Sequence, residues 1–248
     1  MISFLTSNIS VSSDTATNTH VLNTANNLVA ELYRCLPDKK LKGLFIASSP
    51  DDFSNTEYYG YEIRDEFQQA GFTFDTYTIL DRRNGECARE LVLNSDLVIL
   101  SGGHVPTQNA FFADIHLRDC LNDFQGVVVG ASAGSMNAAE VVYAQPELPG
   151  EAVSPEYRRF LPGLGLTEVM ILPHYQDIKD KVLDGLRVFE DIGYPDSMGR
   201  KIYTIPDGTY LLCENGREEL RGEAYLIENG GMRKINENNQ AILLVSSD

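Results

Sequence analysis

The chain has 248 residues, 43% of them hydrophobic and 23% charged, which is enough apolar material for the core of one large α/β domain over residues 1–248. Its formal net charge of −16 argues against nucleic acid or an anionic membrane as a partner, while a small acidic substrate in a locally basic pocket stays open. Cys35, Cys87, Cys120 and Cys213 are scattered, with no C-x-x-C pair, a pattern that fits reduced thiols in a cytosolic protein and neither a disulfide framework nor a zinc site. Met1–Leu5 is too short and uncharged for a signal peptide, and no apolar run approaches the length of a membrane span, so the expected location is cytoplasmic.

In chain order, Ile2–Leu5 reads as a short first strand, and the Ser-, Thr- and Asn-rich stretch from Ser7 to Asn18 as a loop. Apolar residues at Leu22, Ala25, Leu28, Val29, Leu32 and Leu36 predict a helix over His20–Leu36, stopped by Pro37. Leu41–Ser48 predicts a strand. Tyr59, Ile63, Phe67 and Ala70 predict a helix closed by Gly71, and Phe72–Leu80 a third strand. A short helix over Glu86–Leu93 precedes a buried strand, Asp96–Leu100, that runs into the glycine turn Ser101-Gly102-Gly103-His104. A helix over Thr107–Leu121 leads to the strand Gly126–Ala131. This alternation implies right-handed βαβ units and a mostly parallel sheet flanked by helices, with ligands bound at the carboxyl ends of its strands.

Tyr143–Pro162 is a connection long enough to suggest a functional or mobile loop. Glu168–Leu172 predicts a strand feeding Pro173-His174-Tyr175, Ile178–Ile192 a helix, and Lys201–Ile205 a strand feeding Pro206-Asp207-Gly208. Beyond it, short apolar runs at Thr209–Cys213, Ala224–Ile227 and Ala241–Val245 are separated by Asn215-Gly216 and Asn229-Gly230-Gly231, which predicts C-terminal antiparallel β-hairpins packed on the sheet edge.

The chemistry centres on Gly130-Ala131-Ser132-Ala133-Gly134. A β-branched strand, a tight turn of small residues and a helix start would lift the Ser132 hydroxyl above the sheet, as in a nucleophile elbow. A serine needs a base to accept its proton. Of four histidines, His20 is expected at the start of a helix and His116 inside one, while His104 and His174 follow apolar strands. His174, set by Pro173 at a strand tip, fits the base better. Asp207 is the chosen acid to orient it. Pro-Asp-Gly is also an ordinary turn, and Glu140, Glu147, Glu151, Asp177 and Asp180 remain alternatives. The amides of Gly103 and Ala133 could bind a tetrahedral oxyanion.

Ser-Gly-Gly-His at 101–104, Gly-Ala-Ser-Ala-Gly at 130–134, Leu-Pro-His-Tyr at 172–175 and Ile-Pro-Asp-Gly at 205–208 together resemble the dipeptidase E and cyanophycinase family of serine peptidases, over roughly Leu41–Cys213. The resemblance implies a fold related to the class I glutamine amidotransferases, flavodoxin-like, with serine in place of their cysteine. It implies Ser132 as nucleophile, His174 as base, and Asp207 where dipeptidase E has a glutamate. The chain departs from the family in three ways: His104-Val105 follows the glycine turn, the third acid is one methylene shorter, and the segment after His174 carries Lys179 and Lys181 where an arginine-rich helix is expected.

The expected activity is a serine-type dipeptidase acting through an acyl-enzyme, as a monomer or homodimer, with no metal or organic cofactor. The alternatives are a cyanophycinase-like hydrolase of an aspartate-based polymer and an inactive binding homologue. His104, Tyr175, Arg158 and Arg159 are candidate substrate contacts, with Arg118 and Lys179 further candidate cations for an acidic substrate.

Overall fold

Apolar residues in the central strands alternate between two buried faces, so each strand must be covered by helices on both sides. In the computed structural model, which describes residues 1–14 and 19–244, Phe4, Phe45, Ile99 and Val129 pack on one face with Leu28, Leu32 and Phe67 from helices. Leu44, Ile46, Val98, Leu100 and Val128 pack on the other with Ala88, Val92, Phe111, Phe112 and Leu121. The result is an eight-stranded sheet in the order Ala241–Leu244, Arg217–Arg221, Tyr210–Glu214, Ile2–Thr6, Val127–Ala131, Leu97–Leu100, Leu41–Ile46, Phe74–Leu80. The five strands from Ile2–Thr6 to Phe74–Leu80 are parallel. The other three pair antiparallel with their neighbours and extend the sheet at one edge, as expected for the runs at Thr209 and Ala241, whereas the run at Ala224–Ile227 and its hairpin lie in a second sheet. Asn215 and Gly216, both at positive φ, make the two-residue turn between the first pair of that extension.

A second sheet has the order Met170–Leu172, Lys201–Thr204, Ala224–Glu228, Gly231–Asn236. Its first two strands are parallel and the rest antiparallel. Leu172, Ile202 and Ile227 pack against Ala133 and Met136 of the helix Ala133–Asn137, while Ile171, Ile205 and Ala224 pack with Leu5, Leu211 and Leu220 of the central sheet. The strands that deliver His174 and Asp207 thus belong to this smaller sheet and not to the central one.

Several predicted helices are shorter than their apolar spacing suggests, each for a backbone reason. Asn26 and Asn27 sit at positive φ, so the first helix is Leu28–Cys35. His20 lies instead in the strand Thr19–Leu22, paired with Ser10–Asp14 inside the stretch read as a loop. Residues 15–18 and Val245 fall outside the described residues. His116, at φ 51°, divides the helix expected over Thr107–Leu121 into Val105–Asp114 and Leu117–Asn122. The helix expected over Ile178–Ile192 is absent. Asp184 and Gly185 at φ 52° and 82° make a hairpin turn between Val182–Leu183 and Leu186–Arg187, followed by a wide helical turn over Val188–Gly193. Of the apolar face read for that helix, Leu183, Val188 and Phe189 are buried, Leu186 is half-buried and Val182 is exposed, so the apolar spacing reports core positions in part and the element type wrongly. The connection after Tyr143 is closed at its base by pairing of Val141–Tyr143 with Phe160–Pro162. No helix among the described residues is long and apolar enough to cross a membrane.

Candidate active site

Ser132 stands between the strand Val127–Ala131 and the helix Ala133–Asn137 at φ 50° and ψ −112°, a conformation that costs a non-glycine residue on the order of 1–3 kcal/mol. Hydrogen bonds hold it there. Its N–H donates to the Thr6 carbonyl (3.1 Å), and its own carbonyl accepts from Ser135 and Met136 (2.9 and 3.0 Å). The Ser135 hydroxyl also donates to Thr6 O (2.8 Å), and Thr6 Oγ1 donates to Gly130 O (2.8 Å). The flanking glycines are steric necessities. A Cβ at Gly134 would lie 2.3 Å from Leu100 O, and one at Gly130 2.9 Å from Ser135 N.

The Ser132 hydroxyl is 2.9 Å from His174 Nε2, and His174 Nδ1 is 2.8 Å from Asp207 Oδ1. Asp207 also accepts from Ser7 Oγ at Oδ1 (2.7 Å) and from Asn8 Nδ2 at Oδ2 (3.3 Å). Burial would raise its carboxyl, but the hydrogen bonds from His174 and Ser7, the charge of His174 and the bond from Asn8 together bring it down from 3.8 to about 2. An ionised Asp207 accepts the Nδ1–H and so fixes the tautomer of His174. Nε2 is left with a lone pair facing the serine hydroxyl. Pro206-Asp207-Gly208 is a turn as well, since Thr209 N–H donates to Pro206 O (3.2 Å), so the turn and the contact with His174 coexist.

The glycine turn supplies the other half of the site. Gly103 has φ 154°, and a Cβ there would come within 2.3 Å of Ser48 Oγ. A Cβ on Gly102 would lie 3.4 Å from that of Ser132, so the turn runs alongside the elbow. Neither the Gly103 nor the Ala133 amide donates to a protein acceptor among the described residues. Both are available to a developing oxyanion. The turn is braced from below by Gln108, whose amide donates to Ser101 O (2.7 Å), and by Asn137, whose amide donates to Gln108 Oε1 (3.0 Å) and Val105 O (3.2 Å).

The His104 ring makes two hydrogen-bond contacts among the described residues. Its Nε2 is 2.8 Å from Glu151 Oε1, and its Nδ1 is 2.8 Å from Thr107 Oγ1. Tyr175 stacks on Tyr225, with ring centroids 4.1 Å apart. Arg159 pairs with Asp196 (3.0 Å) and donates to Ala152 O (3.0 Å), and Arg118 pairs with Glu140. Arg158 and Lys179 are exposed. Of the alternative acids, Glu140 and Glu151 are therefore committed elsewhere. Asp177 has a carboxylate oxygen within 4.8 Å of donor atoms of His174 and Asp207, and such a set could hold a cation only in competition with the His174–Asp207 bond.

Ser7 is the residue that sequence reasoning missed. Fully buried, it donates to Asp207 and accepts the His174 N–H through the same Oγ (2.8 Å). The signal was positional: it follows the strand Ile2–Thr6, a parallel neighbour of the strand before Ser132, so it had to emerge at the same sheet end.

The model of peptidase family S51 matches residues 9–221. No curated protein matches the sequence. A peptidase from an acI-B1 actinobacterium superimposes with a TM-score of 0.63 at 16% identity, over 98% of this chain and 96% of that one. A candidate peptidase E protein from Listeria monocytogenes EGD-e gives a TM-score of 0.52 at 15% identity, over 94% of this chain and 97% of that one. At these identities the structural likeness speaks for the fold.

Proposed function

Because this chain belongs to peptidase family S51, the dipeptidase E and cyanophycinase family of serine peptidases, we propose that it hydrolyses short peptides as a dipeptidase through Ser132, His174 and Asp207. The observation that carries the reading is the continuous hydrogen-bonded line from Ser132 Oγ through His174 to Asp207, at 2.9 and 2.8 Å. Ser132 Oγ attacks the scissile carbonyl carbon while His174 Nε2 takes the hydroxyl proton. The carbonyl oxygen becomes an oxyanion between the Gly103 and Ala133 amides, each such donor being worth about 3–4 kcal/mol in the transition state. The imidazolium then gives its proton to the amine nitrogen as the C–N bond breaks, and an acyl-enzyme remains. A water molecule attacks that ester with His174 again as base, and the proton returns to Ser132 as the acid product leaves.

In support of a short substrate, the connection after Tyr143 is tied to the residue after Gly103 through the contact of Glu151 with His104 (2.8 Å). The test is labelling with a fluorophosphonate beside a dipeptide-library assay, on wild type and Ser132→Ala. Wild type should label and cleave, and the variant should do neither. Unchanged hydrolysis by Ser132→Ala would overturn the assignment.

A further inference from the structure

His104 and the connection after Tyr143 have no part in the chemistry above, and a contact between Glu151 and the His104 ring joins them. Gly102 and Gly103 have no side chains by which the protein could hold their peptide groups, so the direction of the Gly103 N–H is set by what holds the residues on either side. Before them, Ser101 O accepts from the Gln108 amide (2.7 Å). After them, the His104 ring is held at both nitrogens, Nδ1 by Thr107 Oγ1 (2.8 Å) and Nε2 by Glu151 Oε1 (2.8 Å). Thr107 lies in the helix Val105–Asp114 that His104 begins, so its contact is local. Glu151 lies 47 residues further along the chain and ties the turn to a separate part of the fold.

Glu151 is itself firmly placed. Its Oε2 accepts from the N–H groups of Glu147 (2.8 Å) and Leu148 (2.9 Å). On either side of it, the N–H groups of Gly150 (2.8 Å) and Ala152 (3.0 Å) donate to Asp184, in the turn between Val182–Leu183 and Leu186–Arg187. Ala152 O accepts from Arg159 (3.0 Å). Burial would raise the Glu151 carboxyl, but the N–H groups of Leu148 and Glu147 and the contact with His104 bring it below its ordinary value, so it is ionised and His104 Nε2 is the donor. With 24% of the His104 side chain and 15% of the Glu151 side chain open to solvent, the contact is sheltered from the screening that weakens an exposed pair.

We propose that Glu151 is a positioning residue for the oxyanion site: acting through the His104 ring, it fixes the residue after Gly103 and so aims the Gly103 N–H at the oxygen of the reacting carbonyl. This rests on the reading of Ser132 as the nucleophile with Gly103 as a donor to its oxyanion. A donor accelerates the reaction only where it points at the forming oxyanion. Loosening the turn keeps the donor and misdirects it. The loss is therefore smaller than the roughly 10²–10³-fold that removal of a donor costs, and amounts to about 10- to 50-fold in the rate of attack by Ser132. Glutamine cannot replace Glu151, because N–H donors face both carboxylate oxygens and an amide offers one acceptor.

The experiment measures the second-order rate of fluorophosphonate labelling at Ser132, because the phosphonyl oxygen takes the oxyanion position and no peptide contact is involved. The variants are Glu151→Ala, Glu151→Gln, His104→Ala, His104→Gln and the double alanine variant, each checked by urea unfolding. Glu151→Ala, Glu151→Gln and His104→Ala should each label about 10- to 50-fold more slowly than wild type. The double variant should label no more slowly than His104→Ala, because the same contact has been removed twice. His104→Gln keeps a donor for Glu151 Oε1 and should label within about fivefold of wild type. A wild-type rate in Glu151→Ala overturns the role of Glu151. So does a full further loss when Glu151→Ala is added to His104→Ala, since Glu151 would then act without His104. Where Glu151→Ala does not fold, His104→Gln against His104→Ala decides, and equal rates overturn the contact. Failure of the wild-type protein to label at Ser132 overturns the nucleophile reading beneath it.

Discussion

Asp207→Asn is the substitution whose consequence can be followed atom by atom. Asp207 Oδ1 accepts from His174 Nδ1 and Ser7 Oγ, and Oδ2 accepts from Asn8 Nδ2. An asparagine has one oxygen and one NH2 for these positions. With the oxygen toward His174, the NH2 faces the Asn8 amide donor, and Asn8 cannot simply turn over because its Oδ1 already accepts the Ser10 N–H at 3.1 Å. With the NH2 toward His174, Nδ1 must accept, so the proton moves to Nε2, which then points a donor at Ser132 and cannot take its proton. The second arrangement also turns a donor toward the Ser7 hydroxyl, which must point its proton elsewhere, and it leaves His174 unable to accept the Ser132 proton. Loss of the correct tautomer in a serine triad costs on the order of 10⁴ in kcat, or about 5 kcal/mol of barrier. The expected result is a kcat lower by roughly 10³–10⁴ with KM within a few-fold of wild type, since no substrate contact changes. Steady-state hydrolysis of the best library dipeptide checks this. A kcat within tenfold of wild type would refute the argument and return the role of the acid to another carboxylate.

Two further outcomes follow from the same hydrogen bonds. Ser7→Ala removes the hydroxyl that accepts the His174 N–H and donates to Asp207. It should lower kcat by about tenfold and stability by about 1–3 kcal/mol, because a buried N–H is left without an acceptor. Urea unfolding and kinetics on one preparation test both, and Ser7→Thr should restore part of the activity. For pH, the folded carboxyl of Asp207 titrates at about 2 against an ordinary 3.8, so its contribution is complete above about pH 5 and is lost as the pH falls from there toward 2. With 32% of the side chain open to solvent, screening reduces that contribution to about 1 kcal/mol. Acid unfolding of wild type should thus be steeper than that of Asp207→Asn in this window, and identical slopes would show that the carboxylate is not held as described.

The parallel sheet was legible because its signal is local. Val127–Val129 and Leu97–Leu100 are β-branched or leucine-rich runs that end in glycine, and they fold as read. The convergence of Ser132, His174 and Asp207 was legible for a related reason: each follows such a run, and side chains at strand ends meet. Illegible features depend on backbone sign. Asp184-Gly185 turns a helical apolar spacing into a hairpin, and Asn26-Asn27 delays a helix by several residues. At both places a left-handed residue decides the element while the apolar positions decide only the burial. The roles of His104 and Arg159 were illegible because they depend on partners far along the chain, at Glu151 and Asp196.

The division of the proposed triad between two sheets gives Ser7 a larger part than its size suggests. Ser132 rides on the central sheet, while His174 and Asp207 ride on the smaller one, and the distance between Ser132 and His174 is therefore set by how the sheets meet. Leu5, Ile171, Ile205 and Leu211 hold the two together through apolar contact, which fixes separation but leaves direction loosely specified. Hydrogen bonds supply direction. Ser7 leaves the central sheet one residue after Thr6, which itself anchors the Ser132 N–H, and it bonds both the backbone of His174 and the side chain of Asp207. Thr6-Ser7 is thus a two-residue gauge: one residue sets Ser132, and the next sets His174 and Asp207 relative to it. Ser132 and His174 both occupy positive φ, and strain of that kind persists only where neighbouring contacts over-determine the backbone. These bonds provide that over-determination, so the first strand of the chain, which carries none of Ser132, His174 and Asp207, governs the geometry of all three.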